Sequence, residues 1–162
     1  MSPATPRPPF RVLFVCMGNI CRSPAGEIIF RQLVAAAGRS ADIEIDSAGT
    51  LGAHHGEPPD ARMAATLQRN GYTIAGRARQ IQAADLGHFD LIVTMDEDNL
   101  AAVRALDPAG RFHARIRPLV EFCRAHQAAR VPDPYYGGQH GFDQVIALLE
   151  DGCAGILREI PV

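Results

Sequence analysis

The chain has 162 residues, of which 47% are hydrophobic, and a formal net charge of −2, values that suit one domain with its own core. The slightly negative charge argues against nucleic acid or a membrane surface as a partner, and no apolar run approaches the ~20 residues of a transmembrane helix. Four cysteines are few for a disulfide scaffold of this length. Because the first residues are too polar and proline-rich for a secretory signal, we expect a reducing, cytoplasmic environment.

The first nine residues are dominated by proline and small polar residues. We expect residues 1–9 to form a flexible or extended arm. No internal repeat or low-complexity block follows, so a single domain is expected over residues 10–162.

Predicted strands and helices alternate along the domain. Residues 11–15 form a nearly continuous apolar run, typical of a central strand buried on both faces. Ser23 and Pro24 favour a helix start, and Pro118 favours an edge position for the last strand. This alternation indicates a three-layer α/β fold with a parallel sheet. The predicted strands are 11–15, 43–47, 89–95 and 115–120, and the predicted helices are 23–38, 60–70, 98–106 and 142–160.

The loop after the first predicted strand is a candidate ligand site, because parallel sheets bind ligands at the carboxyl ends of their strands. A loop of this length before a helix can curl so that its backbone N–H groups converge on an anion. Gly18 and Asn19 tolerate the left-handed backbone that such curling requires. The candidate phosphate-binding residues are Met17, Gly18, Asn19, Ile20, Cys21 and Arg22.

The side chains at the two ends of this loop complete the candidate site. Arg22 offers two parallel donors that match phosphate oxygens. Cys16 is expected beneath the anion, where an electropositive environment favours the thiolate, a competent nucleophile. Taken alone, a cysteine is more often a buried structural thiol. The strand before Cys16 and the turn and helix-start residues after it favour the anion-binding interpretation.

A second candidate segment lies far downstream, where two prolines flank Asp133 and two tyrosines follow. The prolines restrict the backbone around the carboxyl group, and such a residue suits a general acid. The alternative is an ordinary Pro-Asp turn before a helix. Tyr135 and Tyr136 either pack against the domain or form the wall of a pocket that stacks a substrate ring.

Together, segments 15–24 and 133–136 resemble the low-molecular-weight protein tyrosine phosphatase family, with further matches at 46–50, 78–81 and 94–96. The resemblance runs from about Arg11 to the C-terminal helix. It implies a three-layer αβα sandwich with a four-stranded parallel sheet and a phosphate-binding loop after the first strand. It also implies that phosphotyrosine on proteins, and small aryl phosphates, are hydrolysed without a metal or other cofactor.

The resemblance assigns roles to the central residues of both segments. Cys16 matches the nucleophile that carries a cysteinyl-phosphate intermediate. Arg22 matches the residue that clamps phosphate and stabilises the transition state. Asp133 matches the general acid, which then acts as a base toward water.

The resemblance also assigns supporting roles within the loop. Ser23 matches a hydroxyl that hydrogen-bonds the thiolate and eases its departure. Asn19 matches a residue whose side chain locks the loop, in partnership with Ser47. Cys21 matches a second loop cysteine that can form a disulfide with the nucleophile under oxidation.

The pocket wall is where this chain departs from the family pattern. Tyr135 and Tyr136 match aromatic residues at the pocket mouth, but Ala53 stands where many relatives have a large aromatic. Gly76 stands where relatives commonly have a histidine that is bonded to the loop network. These departures bear on substrate preference and on loop rigidity, respectively.

Two other functions are compatible with parts of this pattern. An arsenate reductase can share the fold and the loop, but it typically relays oxidation through closely spaced cysteines, whereas Cys123 and Cys153 are thirty residues apart. A non-catalytic phosphotyrosine-binding relative would not require the complete set of nucleophile, arginine and acid. Adjacent histidines do not normally point at one ion, so we expect His54 and His55 to be solvated loop residues and expect no metal site.

Overall fold

The structure, a computed structural model, describes residues 7–135 and 137–162. Residues 1–6 of the expected N-terminal arm and the predicted pocket residue Tyr136 lie outside the described residues. Within the described ranges, no helix combines the length and the apolar character that crossing a membrane requires.

Four parallel strands form the sheet, in the spatial order β2-β1-β3-β4. Because β1 is central, the loop that follows its last residue leaves the sheet between the carboxyl ends of β2 and β3. The strands are β1 (Phe10–Cys16), β2 (Ile43–Gly49), β3 (Leu91–Thr94) and β4 (Ile116–Pro118).

Helices cover both faces of the sheet, which confirms the three-layer prediction. Alternation along β1 sends Val12 and Phe14 into a large core with helices α1 and α5. Leu13 and Val15 enter a smaller core on the other face, beneath α3 and α4. The helices are α1 (Arg22–Ala36), α2 (Ala61–Arg69), α3 (Ala83–His88), α4 (Glu97–Ala105) and α5 (Gln139–Glu159).

The predicted strands and helices are present in the described ranges, together with one further α-helix and two short 3-10 helices, His113–Arg115 and Leu119–Phe122. The last strand ends at Pro118 rather than at residue 120. Asp60 caps α2 as its side chain accepts hydrogen bonds from the first-turn N–H groups, and the proline-containing β4 lies at the sheet edge, as expected. Helix α3 was not predicted, because its six residues are too few for a periodic apolar stripe. A reciprocal capping interaction between Gln82 and Asp85 and the burial of Leu86 stabilise it.

Candidate active site

Cys16 ends β1 and is buried at the base of the loop. Asn19 adopts a left-handed conformation with φ of 56°, as the sequence predicted. Gly18, by contrast, does not have a positive φ. A Cβ atom at Gly18 would lie 3.0 Å from the ring of His54, so the glycine leaves room for that ring.

The loop turns its carbonyl groups toward neighbouring segments. No backbone N–H group of residues 17–22 donates a hydrogen bond to another residue within the described ranges. These N–H groups precede the N-terminus of α1, so they can be offered to an anion. The carbonyl groups accept hydrogen bonds from Thr50 to Cys16 at 2.9 Å, from Leu51 to Met17 at 2.9 Å and from Asp60 to Ile20 at 2.7 Å.

The end of β2 approaches this loop closely. A Cβ atom at Gly49 would lie 2.8 Å from the carbonyl oxygen of Met17 and 3.0 Å from the backbone nitrogen of Asn19. A larger residue would therefore push β2 away from the loop. This contact explains why a glycine stands at position 49, within the 46–50 segment of the family resemblance.

Arg22 is almost completely buried, with 3% of its side chain exposed. Its Nη1 atom donates to Asp96 Oδ2 at 2.6 Å and to the carbonyl oxygen of Val131 at 3.0 Å, while Nη2 lies 3.7 Å from Asp133 Oδ2. Burial by itself lowers the pKa of Arg22, but the charges of Cys16, Asp96 and Asp133 outweigh it and raise the pKa above its ordinary value. Arg22 is therefore a permanent cation at the base of the site.

The loop that carries Asp133 is attached to the end of β3. The N–H group of Val131 donates to the carbonyl oxygen of Met95 at 2.8 Å. Asp133 Oδ1 accepts a hydrogen bond from the N–H group of Tyr135 at 3.0 Å, so the turn is closed by its own aspartate. One third of the Asp133 side chain is exposed, which leaves the carboxyl group accessible from the cavity.

A cavity of about 180 Å³ joins the two predicted segments. Arg22 and Val131 are 109 residues apart in sequence, yet they are in direct contact below this cavity. The cavity therefore contains a thiol, a buried cation and a carboxyl group around one space. Its lining residues are Cys16, Met17, Gly18, Ile20, Cys21, Arg22, His54, Asp133 and Tyr135.

The pocket wall differs from the expectation. Ala53 is exposed and does not line the cavity; its neighbour His54 does, so the placement of Ala53 as the wall is corrected. The expectation that His54 is simply solvated is corrected as well, whereas His55 is exposed as predicted. His54 lies over Gly18 and its Nδ1 atom is 2.7 Å from Glu57 Oε2, a contact that orients the ring.

The remaining predicted residues surround the nucleophile. Ser23 Oγ lies 3.0 Å from Cys16 Sγ, and Asn19 Nδ2 donates to Ser23 Oγ at 2.8 Å and to Ser47 Oγ at 2.9 Å. Burial, followed by the charge of Cys16, raises the pKa of the Cys21 thiol. Cys21 is therefore a neutral thiol beside the nucleophile.

Neither of the remote cysteines reaches the cavity. Cys153 is completely buried in the large core, and Cys123 is partly buried, with Sγ directed to the carbonyl oxygen of Leu148. A relay of cysteines of the kind that an arsenate reductase uses therefore has no counterpart at the described site. No three His, Cys, Asp or Glu side chains come together as potential metal ligands within the described ranges.

Sequence reasoning missed the contribution of Asp96. The acidic run at 96–98 suits the N-terminus of a helix, and Asp96 indeed caps α4. Its other carboxylate oxygen holds Arg22, a contact that the sequence does not reveal. The sequence feature that could have indicated this contact is the family match at 94–96, which begins at the last residue of β3, a strand adjacent to β1.

Comparison with known proteins identifies relatives of nearly the whole chain. Residues 11–161 match the family model described as low molecular weight phosphotyrosine protein phosphatase. The low molecular weight protein-tyrosine-phosphatase of Streptomyces coelicolor is 42% identical over 153 residues, which cover 93% of each chain. A solved protein tyrosine phosphatase from Entamoeba histolytica has a TM-score of 0.90 at 37% identity, covering 93% of this chain and 96% of its own. The solved structure of YfkJ from Bacillus subtilis has a TM-score of 0.89 at 39% identity, covering 95% of this chain and 96% of its own.

Proposed function

The chain belongs to the low molecular weight phosphotyrosine protein phosphatase family and is a protein tyrosine phosphatase, and we propose that Cys16 is its nucleophile, Arg22 its phosphate clamp and Asp133 its general acid. The family match at residues 11–161 supports a catalytic domain over residues 10–162. The observation that carries the assignment is the meeting of these three side chains around one cavity, with Arg22 Nη2 3.7 Å from Asp133 Oδ2.

In the first step, the substrate phosphate binds the backbone N–H groups of residues 17–22 and the outer face of Arg22. The Cys16 thiolate attacks phosphorus in line with the tyrosyl oxygen, so an S–P bond forms as the P–O bond breaks. Asp133, entering this step protonated, gives its proton to the leaving oxygen. The fixed N–H groups and Arg22 stabilise the charge that develops on the phosphoryl oxygens.

In the second step, water hydrolyses the cysteinyl phosphate. The Asp133 carboxylate takes a proton from the attacking water, which returns the acid to its starting state. The S–P bond breaks, inorganic phosphate leaves, and the electron pair returns to sulfur as a thiolate. Ser23, at 3.0 Å, is suited to donate a hydrogen bond to that thiolate.

The depth and lining of the cavity support an aryl phosphate as substrate. The nucleophile is buried at its base, while the exposed side chains of Met17 and Tyr135 lie at its mouth. A phenyl ring can contact these side chains while its phosphate is bound at the base, whereas the short side chain of phosphoserine has no ring to make such contacts. Tyrosine-phosphorylated proteins are therefore the proposed partners, and phosphate-like anions are the proposed inhibitors.

A thiolate nucleophile works only while it is reduced, which supports the proposed cytoplasmic location. The same chemistry supports the proposed redox role of Cys21, whose test is described in the Discussion.

The test compares the rates at which the protein hydrolyses a phosphotyrosine peptide and its phosphoserine counterpart, each in the presence of a metal chelator. We expect the wild type to hydrolyse the phosphotyrosine peptide preferentially and Cys16→Ser to be inactive, while Cys123→Ser serves as the matched control and remains active. Rapid acid quench and mass spectrometry should find a phosphoryl group on the Cys16 peptide. Turnover by Cys16→Ser, phosphoryl transfer to another residue, or thiol-dependent arsenate reduction in place of hydrolysis would contradict the proposal.

A further inference from the structure

A continuous chain of hydrogen bonds leads from Glu27, on α1, to the nucleophile. Ser47 Oγ donates to Glu27 Oε1 at 2.6 Å and accepts from Asn19 Nδ2 at 2.9 Å. The same amide nitrogen of Asn19 donates to Ser23 Oγ at 2.8 Å, and Ser23 Oγ lies 3.0 Å from Cys16 Sγ. Glu27 is thus linked to the nucleophile through three intervening side chains.

The orientation of the Asn19 amide determines the direction of this chain. Asn19 Oδ1 faces the backbone N–H group of Arg79 at 2.9 Å, and a backbone N–H group can only donate. The amide nitrogen must therefore face Ser23 and Ser47, with one hydrogen for each. Both serine oxygens accept from Asn19, and each serine retains a single hydrogen to donate elsewhere.

The two remaining hydrogens have defined destinations. A carboxylate has no hydrogen to donate, so the hydroxyl hydrogen of Ser47 is directed to Glu27. The hydroxyl hydrogen of Ser23 has two acceptors in reach: Cys16 Sγ at 3.0 Å and the carbonyl oxygen of Ala48 at 3.4 Å. The shorter contact and the charge of a thiolate favour donation to sulfur.

We propose that Glu27 is a positioning residue for the phosphatase reaction, because its carboxylate keeps the Ser47 hydroxyl directed away from Asn19 and thereby preserves the chain that makes Ser23 a donor to the Cys16 thiolate. This inference rests on the proposed function, in which Cys16 is the nucleophile. Without an acceptor at position 27, the Ser47 hydroxyl turns toward other acceptors, competes with the Arg79 N–H group for Asn19 Oδ1 and loosens the amide.

The surroundings of Glu27 support this role. Asn19, Ser23 and Ser47 are buried, a condition in which hydrogen bonds are strong and their directions are well defined. A small cavity beside the chain is lined by Glu27 and by Gly76, which has no side chain to offer as another acceptor. The other carboxylate oxygen of Glu27 is held at 2.6 Å by Arg31, so the carboxylate is itself fixed.

The test compares three variants along α1. Glu27→Met removes the acceptor, and Glu27→Gln retains one acceptor oxygen for Ser47. Arg31→Met removes the ion pair with Glu27 and a hydrogen bond to the carbonyl oxygen of Ile45, but leaves the Glu27 acceptor in place. We expect Glu27→Met to lose about 3- to 10-fold in kcat, because the thiolate leaves the phosphoenzyme with a weakened donor. We expect Glu27→Gln and Arg31→Met to remain within about 2-fold of the wild type, since exposed ion pairs contribute little.

The pH dependence of Cys16 alkylation by iodoacetamide is the second measurement, because a purely structural defect would not displace it. We expect Glu27→Met and Ser47→Ala each to move the onset of alkylation to higher pH. The double variant, which carries both substitutions, should show no further shift. All variants retain the other groups near Cys16, so these contribute equally to each profile. Those groups are Cys21, Arg22, His54, Asp60, Asp96 and Asp133.

An unchanged alkylation profile in Glu27→Met, or an equal shift in Arg31→Met, would overturn the inference. Additive shifts for Glu27→Met and Ser47→Ala would overturn it as well, because the two residues would then act separately. A failure of the proposed function is distinguishable from these results. In that case Cys16→Ser would retain activity, whatever the behaviour of the Glu27 variants.

Discussion

Asp96 holds the buried guanidinium of Arg22, with Oδ2 at 2.6 Å from Nη1. The other oxygen of the same carboxylate accepts the N–H group of Asn99 at 2.8 Å and caps α4. One side chain therefore joins the loop after β1 to the helix after β3. Because Nη1 is occupied by Asp96 and Val131, the Nη2 side of Arg22 is directed toward Asp133 and the cavity.

We expect Asp96→Asn to lower kcat by roughly tenfold or more, since a hydrogen bond to a charged partner contributes ~1.5–3 kcal/mol. Asparagine is a good N-cap residue, so α4 should persist while the charge that holds Arg22 is lost. The control is Glu97→Gln, which removes an exposed ion pair with Arg130 and should leave kcat nearly unchanged. Equal kcat values for Asp96→Asn and the wild type would contradict the role of this contact.

Asp133 provides a prediction about leaving groups. Asp133→Ala should slow formation of the phosphoenzyme most for poor leaving groups, because these need the proton most. The rates of a series of aryl phosphates should therefore depend more steeply on the pKa of the phenol than in the wild type. Asp133→Asn is the matched control for structure, because it can still accept the N–H group of Tyr135 but cannot give a proton; it should show the same steep dependence. A slope equal to that of the wild type in both variants would argue against general-acid catalysis.

His54 provides a prediction about the pocket wall. Its ring lies at the mouth of the cavity over Gly18, so it can stack on the ring of the substrate. Aromatic contacts of this kind contribute ~0.5–1.5 kcal/mol, which predicts a rise in KM of about 2- to 10-fold for His54→Ala, with little change in kcat. His55→Ala, one residue away and exposed, should leave KM unchanged. Equal KM values for His54→Ala and His55→Ala would show that His54 does not form the pocket wall.

Cys21 provides a prediction about oxidation. Peroxide should convert the Cys16 thiolate to a sulfenic acid, S–OH. Burial and then the negative charge of Cys16 raise the pKa of Cys21. The sulfenic acid is neutral, so its formation removes the contribution of the Cys16 charge. Cys21 can then attack the Cys16 sulfur and give its proton to the departing hydroxyl group, so that the S–S bond forms as the S–O bond breaks and water leaves.

Wild-type enzyme inactivated by peroxide should therefore recover with dithiothreitol far better than Cys21→Ser does. Mass spectrometry of the oxidised wild type should find the peptides of Cys16 and Cys21 linked. The control is Cys123→Ser, which should recover like the wild type because Cys123 does not line the cavity. Equal recovery of Cys21→Ser and the wild type, with no linked peptide, would contradict the disulfide and leave the catalytic assignment intact.

Asp151 provides a prediction about stability and pH. Burial by itself raises its pKa, but hydrogen bonds from the backbone N–H groups of Arg124, His126 and Ala125 and from the His126 ring outweigh burial and lower it to about 2. Because this value lies below that of the unfolded chain, the stabilisation is present above pH ~4 and is lost as the pH falls through the folded pKa. Asp151→Asn should therefore cost about 2 kcal/mol in the free energy of unfolding at pH 7.

Urea unfolding at pH 7 and at pH 3 measures this difference. The cost of Asp151→Asn should be smaller at pH 3, because the wild-type carboxylate is then losing its advantage over a neutral side chain. The matched control is Glu150→Gln on the same helix, whose carboxylate accepts an exposed hydrogen bond from Tyr72 and should contribute little at either pH. A pH-independent cost would indicate that packing, not charge, is what Asp151 supplies.

The sequence alone determined the fold class, the position of the loop after β1, and the candidates for nucleophile and general acid. These features are local: a buried apolar run, a spacing of six between Cys16 and Arg22, a Ser-Pro helix start and prolines around Asp133. Each depends on backbone preferences over a few residues, so each leaves a pattern that can be read in order along the chain. The short helix α3 left no such pattern, because its stability comes from capping and from one buried leucine.

Tertiary structure decided everything that depends on distance between segments. The contact of Asp96 with Arg22 joins two strand–helix units, and the link from Glu27 to Cys16 passes through Ser47 on β2. His54 reaches the cavity from the segment after β2. These neighbours are set by the strand order β2-β1-β3-β4, which brings the ends of β1, β2 and β3 together at one edge. Spacing along the chain carries no record of that order, and a shift of about 1 Å in such contacts is enough to change catalysis, because positioning depends on geometry in space.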